Sequence, residues 1–290
     1  MLFLLGSIVF TSYLTLSFKA TGLLRINTFQ AIVFNYLTCV ITGSCFNGYF
    51  PVNAHAMQQP WFSWALGMGC VFIVTFNIVG LTTQKFGVSV ASVSYKLSLV
   101  IPFIFSIFLY NEQLTVLKLL GILLALVAVY LTVKTKDVST ATPKSTWLLL
   151  LPILLFAGSG LLDTMIKYCE QQFLNDSNNN DFLITAFGSA ATIGLITLFI
   201  LVVSGKLKFE WKAVVAGAAI GIPNYFSIWF LMKTLKLYPG KSSVIIPVNN
   251  MAIVLFSALV AWILFKEKLS AINWLGIALS ICAIALIAFG

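Results

Sequence analysis

Long apolar segments follow one another along this chain, and they constrain its fold more than any other feature. Roughly ten runs of about 20 residues, nearly free of charged side chains, alternate with short polar connections. A helix needs about 20 apolar residues to cross the hydrocarbon of a bilayer. Only 9% of the 290 residues are charged, whereas a soluble domain carries roughly 25%. The sequence therefore predicts an all-α integral membrane protein of about ten transmembrane helices.

The connections between the predicted spans are short. The longest are 47–61, 134–146 and 175–181, and none can hold a nucleotide-binding domain. The phosphate-binding pattern GxxxxGK(S/T) does not occur in the sequence, so ATP-driven pumping by this chain is not expected. The spans are predicted at 2–20, 26–46, 62–83, 88–110, 115–133, 147–169, 182–204, 211–235, 242–264 and 270–289.

Charge and cysteine usage narrow the classes of partner. The chain has 17 Lys and Arg against 8 Asp and Glu, and the basic residues lie between apolar runs, at the level of the lipid headgroups. We therefore expect a lipid bilayer, and not nucleic acid, to surround these charges. The five cysteines have neither metal-ligand nor disulfide spacing, and the single histidine, His55, lies in a loop without other ligand residues. Neither a metal site nor a cofactor is expected.

An internal repeat is the most informative feature of the organisation. The segment NEQLT at 111–115 precedes an apolar helix, and KEKLS at 266–270 precedes another. At one constant offset, Glu112 matches Glu267 and Gly121 matches Gly276. Because the two segments are about five spans apart, and an odd number of crossings reverses direction, they predict inverted repeats. The predicted halves are two five-helix domains, 1–136 and 145–290.

A Glu-x-Leu-(Ser/Thr) turn followed by an apolar helix with an early glycine thus ends both halves. With the helix count, the length and the short loops, this pattern resembles the EamA-type branch of the drug/metabolite transporter superfamily over essentially the whole chain. We expect the chain to lie in a bacterial inner membrane, as a monomer or homodimer. The resemblance implies a pseudo-twofold bundle of ten helices that moves small metabolites by alternating access. It also implies cytoplasmic termini, whereas the distribution of Lys and Arg favours termini outside, so the orientation stays open.

Lys96 is the most informative ionisable residue because it lies near the centre of the fourth predicted span. A lysine at that depth costs about 2.5–3.5 kcal/mol on insertion scales. Its functional interpretation is a cavity cation that binds a substrate carboxylate or phosphate, or exchanges a proton. The alternative is a structural ion pair or a helix end.

Amide and aromatic side chains at mid-depth complete the candidate site. The amides are interpreted as neutral hydrogen-bonding groups for a substrate, and the aromatic rings as cover for its apolar parts. The alternatives are hydrogen bonds between helices and ordinary packing. Pro223 and Pro247, which precede some of these residues, predict locally irregular helices. The amides are Asn35, Asn77, Asn224, Asn249 and Asn250, and the aromatic residues are Tyr95, Tyr225 and Trp229.

Three carboxylates have more specific interpretations. Asp163 lies inside the sixth predicted span, four residues before Lys167, which favours an i,i+4 ion pair. It is alternatively a proton-coupling group or the partner of Lys96. Glu112 and Glu267 lie at turns between helices, and we expect each to cap a helix start or to interact with a helix macrodipole, in preference to a catalytic role.

The leading functional hypothesis is a secondary transporter, an exporter or an exchanger or facilitator, of a small polar metabolite. Its cavity would be lined by the first four and the sixth to ninth spans. A membrane-embedded enzyme acting on a lipid would need a cluster of His, Asp, Glu or Cys, which the sequence does not show. A channel would need repeated rings of pore residues, whereas the polar residues differ between the halves.

Overall fold

A computed structural model describes residues 2–52, 54–110, 115–133, 148, 150–175, 177–238 and 242–289. Within these ranges the regular structure is helical, as the apolar runs predict. The helices are α1 (Leu2–Leu23), α2 (Thr28–Asn47), α3 (Ala54–Met57), α4 (Phe62–Phe86), α5 (Val88–Leu97), α6 (Val100–Tyr110), α7 (Val116–Val133), α8 (Leu151–Gln172), α9 (Asn179–Val203), α10 (Trp211–Leu237), α11 (Ser242–Leu264) and α12 (Ala271–Phe289).

Seven segments within the described residues are long and apolar enough to cross a membrane. Three shorter apolar segments, Val116–Thr132, Val248–Leu264 and Ala271–Ile287, accompany them. The chain is therefore a multi-pass helical membrane protein, and the total of ten spans stays a prediction. The seven long segments are Leu2–Leu23, Thr28–Asn47, Phe62–Phe86, Val88–Phe105, Leu151–Cys169, Asn179–Val203 and Trp211–Leu235.

Contacts divide the chain into two compact units, and each unit combines segments from early and late in the sequence. The first unit contains Met1–Lys19, Ile78–Leu161 and Ser227–Gly290. The second contains Ala20–Asn77 and Leu162–Phe226. This grouping reports spatial contact, whereas the predicted halves 1–136 and 145–290 describe a repeat, which stays a prediction.

The first unit is built around α7 and α12, which pack closely through small residues. Gly121 of α7 lies against Ala283 and Ile287 of α12, so a Cβ there would be 3.1 Å from the Ala283 carbonyl oxygen. Gly276 of α12 lies against Ala128 and Thr132 of α7 in the same way. The start of each helix thus meets the end of the other, so the two run antiparallel. The offset that relates Gly121 to Gly276 also relates the residues that they contact.

Helices α5 and α11 pack against each other beside this pair and complete the core of the first unit. Fully buried Val93 and Leu97 of α5 belong to one apolar cluster with Val254 and Ala258 of α11. These contacts hold the segment that carries Lys96 next to the helix that carries the two adjacent asparagines.

The second unit is organised by α2 and α9, with α10 approaching α2 closely. A Cβ at Gly221 would lie 2.6 Å from the Asn35 carbonyl oxygen, so only glycine permits this approach. Tyr36, fully buried, donates its hydroxyl to the Phe72 carbonyl at 3.0 Å. Its ring also packs near Phe187 of α9, with the ring centroids 5.9 Å apart. These contacts fix the rotation of α2 and therefore the direction of Asn35.

The helices that contain Pro223 and Pro247 were expected to be irregular near these prolines, and the structure shows them to be continuous there. Both α10 and α11 continue as helices past Pro223 and Pro247, because a proline removes only one helix hydrogen bond and neighbours can satisfy the freed carbonyl. The predicted span 88–110 is instead divided into α5 and α6 at Ser98 and Leu99. Pro102, in the first turn of α6, cannot donate a hydrogen bond back across this division.

Candidate functional site

Lys96 lies in the last turn of α5, directly before the division between α5 and α6. Its Nζ is 4.4 Å from the centroid of the Tyr95 ring, and both side chains are half-buried. A cation near a helix C-terminus is favoured by the helix macrodipole, and the aromatic face adds cation–π attraction. Ser98 donates its hydroxyl to the Tyr95 carbonyl at 2.5 Å, which satisfies one carbonyl at this end.

Polar atoms without partners accompany Lys96 in the first unit. The Ser94 hydroxyl and the Asn249 Oδ1 are buried and form no hydrogen bond within the described part of the chain. Asn250 is also buried, with 8% of its surface exposed. A buried polar group without a partner costs about 1–3 kcal/mol, so each of these atoms calls for a partner such as an ordered water or a ligand.

Trp229 belongs to an aromatic cluster at the start of α1 and the middle of α10. Its ring centroid is 6.0 Å from that of Phe3, in an edge-to-face arrangement, and 5.3 Å from that of Phe230. The Nζ of Lys233 lies 5.9 Å from the Trp229 ring centroid. Trp229 thus packs against other aromatic rings, and its role toward a substrate stays a prediction; Lys233 adds a cation that sequence reasoning did not select.

The second unit brings Asn35 and Asn224 together in the membrane-embedded part of α2 and α10. The Asn224 Nδ2 donates to the Asn35 Oδ1 at 3.1 Å. The Cys39 thiol, one turn after Asn35, donates to the Gly221 carbonyl at 3.4 Å. Sequence reasoning missed Cys39 because its thiol carries no recognisable spacing motif, although its position one turn from Asn35 was a usable signal.

This amide pair is only partly satisfied. The Asn35 Nδ2 and the Tyr225 hydroxyl are buried and form no hydrogen bond within the described residues. The ring of Tyr225 packs against Phe46 with the centroids 6.2 Å apart. The helix-to-helix hydrogen bond weighed as an alternative is thus present, and a donor and a hydroxyl beside it are left for other interactions.

Asn77 and Asp163 differ from the other candidates. The Asn77 Nδ2 donates to the backbone carbonyl of Ile73, one turn earlier on the same helix, at 2.7 Å. This side-chain donor is therefore already engaged within its own helix. Asp163 and Lys167 are both half-buried on α8. The structure groups Asp163 with the second unit and Lys96 with the first.

Glu267 confirms the expected helix cap, although the helix that it caps was not foreseen. Its carboxylate accepts from the backbone N–H of Val88 at 2.8 Å and lies 3.7 Å from the Lys19 ammonium. The capped helix is therefore α5, far away in sequence. Gly87 permits this contact, because its φ of 97° suits glycine and a Cβ would lie 2.9 Å from the carboxylate oxygens. Its counterpart Glu112 lies outside the described residues.

No group of three or more His, Cys, Asp or Glu that could hold a metal occurs within the described ranges. No family model matches the sequence. A relative from Haemophilus influenzae, an uncharacterized protein, is 26% identical over 267 residues, which cover 88% of this chain and 86% of the relative. A protein of known crystal structure aligns with 98% of this chain and 94% of its own, with a TM-score of 0.60 and 17% identity. This second likeness concerns the fold alone.

Proposed function

We propose that this protein is a secondary transporter that moves a small polar metabolite across a bacterial inner membrane by alternating access. The observation that carries the proposal is the set of buried polar atoms, inside apolar helices, that have no hydrogen-bond partner among the described residues. Asn249 Oδ1 and Ser94 Oγ in the first unit, and Asn35 Nδ2 and Tyr225 Oη in the second, belong to this set. In the hydrocarbon of a bilayer, where no water is present, a polar atom without a hydrogen bond raises the free energy of the fold unless a polar solute binds to it.

The packing of α7 against α12 supports the further proposal of ten spans arranged as two inverted five-helix repeats. Residues related by the constant offset contact each other reciprocally, as elements related by a twofold axis do. The antiparallel direction of the two helices agrees with an axis in the membrane plane. The resemblance to EamA-type transporters points to the same arrangement.

The chemistry of the first unit suggests what the substrate carries. The Lys96 ammonium favours an anionic group, such as a carboxylate or a phosphate. Asn249 Oδ1 is a hydrogen-bond acceptor, so its partner on the substrate would be a donor, such as a hydroxyl or an amine. We propose a small metabolite with both an anionic group and a hydrogen-bond donor, whose apolar part contacts Tyr95.

The test is uptake into proteoliposomes, with and without a pH gradient, over amino acids, sugars, nucleotides and cationic drugs. We expect uptake of an anionic or zwitterionic class, and its loss in Lys96→Met. Lys118→Met is a matched control, because Lys118 has the same cation–π type of contact, 5.5 Å from the Phe103 ring centroid, at the start of α7. No uptake of any class by the parent, or equal loss in both variants, contradicts the proposal.

A further inference from the structure

Basic side chains gather at one end of the second unit, where α9 finishes and α2 and α10 begin. Two connections supply them, the turn before α2 and the loop between α9 and α10. Within 20–30 and 204–212 the sequence has four basic residues and one acidic residue. The four basic residues are exposed and are called the basic rim here: Arg25, Lys206, Lys208 and Lys212.

Three hydrogen bonds hold these two connections together. The Gln30 side chain donates through Nε2 to the Lys208 carbonyl at 2.7 Å, and its Oε1 accepts from the Glu210 N–H at 2.9 Å. The Glu210 Oε2 accepts from the Asn27 N–H at 3.0 Å. Every residue of the basic rim lies within two positions of one of these bonded residues, and two residues span at most about 7 Å of chain. The backbone of the basic rim is therefore confined to one small region.

The acidic residue of this region, Glu210, offsets the positive charge of the basic rim only in part. Its carboxylate lies at the N-terminus of α2, where the backbone N–H groups carry partial positive charge and favour an anion. Glu210 is also half-buried, whereas the side chains of the basic rim are exposed. The surface that this end presents is therefore positively charged.

The opposite ends of α2 and α9 carry a different charge. Asn47, at the end of α2, donates through Nδ2 to Oδ1 of Asp181 at the start of α9 at 3.2 Å, so the two helices run antiparallel. The connections at that end, 47–61 and 173–181, contain no Lys or Arg in the sequence. Basic residues are thus concentrated at one end of this helix pair, as is typical of the side of a membrane protein that faces anionic lipid.

Exposed aromatic side chains next to the basic rim favour a lipid over a soluble anion. Phe209 is 51% exposed and Trp211 is 70% exposed. The Phe209 ring also contacts Phe34 of α2 edge-to-face, with the centroids 6.1 Å apart, which fixes its position beside the helix. Aromatic residues at the ends of membrane helices lie at the level of the headgroups. A ligand that carries a phosphate above apolar chains matches this combination, and a free phosphate matches the cations alone.

We propose that the basic rim binds the phosphate groups of anionic phospholipids in the leaflet that it faces. The exposed ammonium and guanidinium groups contact the phosphates, and Phe209 and Trp211 contact the apolar part of the same lipids. The inference is independent of the proposed transport, because it concerns exposed side chains at the helix ends and not the buried polar atoms.

The test is native mass spectrometry of the full-length protein in detergent, titrated with phosphatidylglycerol or with phosphatidylcholine of the same acyl chains. We expect the parent to bind phosphatidylglycerol more tightly, because phosphatidylcholine carries a cation beside its phosphate. Each basic residue near an anionic lipid surface contributes about fivefold to binding. The double change Lys206→Gln with Lys208→Gln should therefore weaken phosphatidylglycerol binding roughly 25-fold and leave phosphatidylcholine binding unchanged.

Lys266→Gln with Lys268→Gln is the matched control. It removes the same charge from two exposed lysines at the turn between α11 and α12, in the first unit. It should bind phosphatidylglycerol like the parent. Exposed substitutions of this kind have little effect on folding, and thermal unfolding of each variant verifies it.

A measurement on the parent alone adds an independent check. Raising ammonium acetate from about 0.1 M to about 1 M shortens the Debye length from about 10 Å to about 3 Å, so the preference for phosphatidylglycerol should disappear. The proposal is overturned if the parent binds both lipids equally at low salt or keeps its preference at high salt. It is also overturned if the folded Lys206 and Lys208 variant binds phosphatidylglycerol as the parent does, or if the control loses as much affinity.

Discussion

Gly276→Ala should loosen the contact between α7 and α12, on which the repeat proposal partly depends. The new Cβ would lie 2.8 Å from the Thr132 backbone nitrogen and 3.1 Å from the Ala128 carbonyl oxygen, and it would also meet the Thr132 hydroxyl. Ordinary contacts of a Cβ begin near 3.4 Å. Backbone atoms cannot rotate away, so the helices must separate by about 0.6 Å, the difference between 2.8 and 3.4 Å.

The expected magnitude follows from two opposing effects. Overpacking of a close interface costs about 1–3 kcal/mol, whereas replacing glycine by alanine inside a helix gains about 0.5–1 kcal/mol. Gly188→Ala in α9 isolates the second effect, because its Cβ would have its nearest neighbour, Val40, at 3.9 Å. The free energies of unfolding of these two variants should therefore differ by about 1–3 kcal/mol.

Thermal unfolding of the purified protein in detergent checks this order. Gly121→Ala should lie between the two, because the backbone atoms that its Cβ meets are at 3.1 Å and not at 2.8 Å. The double variant with Gly276→Ala should be destabilised by less than the sum of the single changes, since one separation of the helices relieves both clashes. If Gly276→Ala is as stable as Gly188→Ala, the close reciprocal contact does not exist.

Three other outcomes follow from the described contacts. Glu267→Ala should destabilise the protein by about 1–2 kcal/mol in unfolding experiments, through loss of a helix cap and a partly exposed ion pair, and Glu267→Gln by less; equal stability of parent and Ala variant would rule out the capping role. Lys96→Met should abolish uptake in proteoliposomes while the protein stays folded, and Asp163→Asn should reduce uptake less; full activity of the Lys96 variant would return this lysine to a structural role. A double-mutant cycle of Asn35→Ala and Asn224→Ala should give a coupling free energy of about 0.6 kcal/mol and at most about 1.7 kcal/mol, and a value of zero would contradict the hydrogen bond.

Helix positions could be read largely from the sequence, because hydropathy depends on local composition. The range predicted at 211–235 coincides with α10, Trp211–Leu237, and 242–264 coincides with α11. The division of 88–110 at Ser98 and Leu99 escaped this reasoning. Hydropathy does not change there, and a proline signals only that one hydrogen bond is lost, not whether the helix ends.

The sequence did not predict which residues, far apart along the chain, contact each other in the fold. Asn35 and Asn224 were each selected for their depth, but their hydrogen bond joins positions 189 residues apart. Glu267 was expected to cap a helix, and local reasoning could not identify α5 as that helix.

The two groups of buried amides differ in how many of their hydrogen-bonding atoms are left for a substrate. This difference decides which group is the better candidate for the substrate site. In the second unit the Asn35 side-chain Oδ1 already accepts a hydrogen bond from Asn224, so part of that polar group serves the packing of α2 against α10. In the first unit Asn249 keeps a buried acceptor without a partner among the described residues, on a helix packed against the one that carries Lys96. Helix-to-helix hydrogen bonds in membranes contribute typically under 1 kcal/mol, which is less than the roughly 2.5–3.5 kcal/mol that a central lysine costs. The proposal that Lys96 recognises an anionic group is therefore best tested first, by substitutions on α5 and α11.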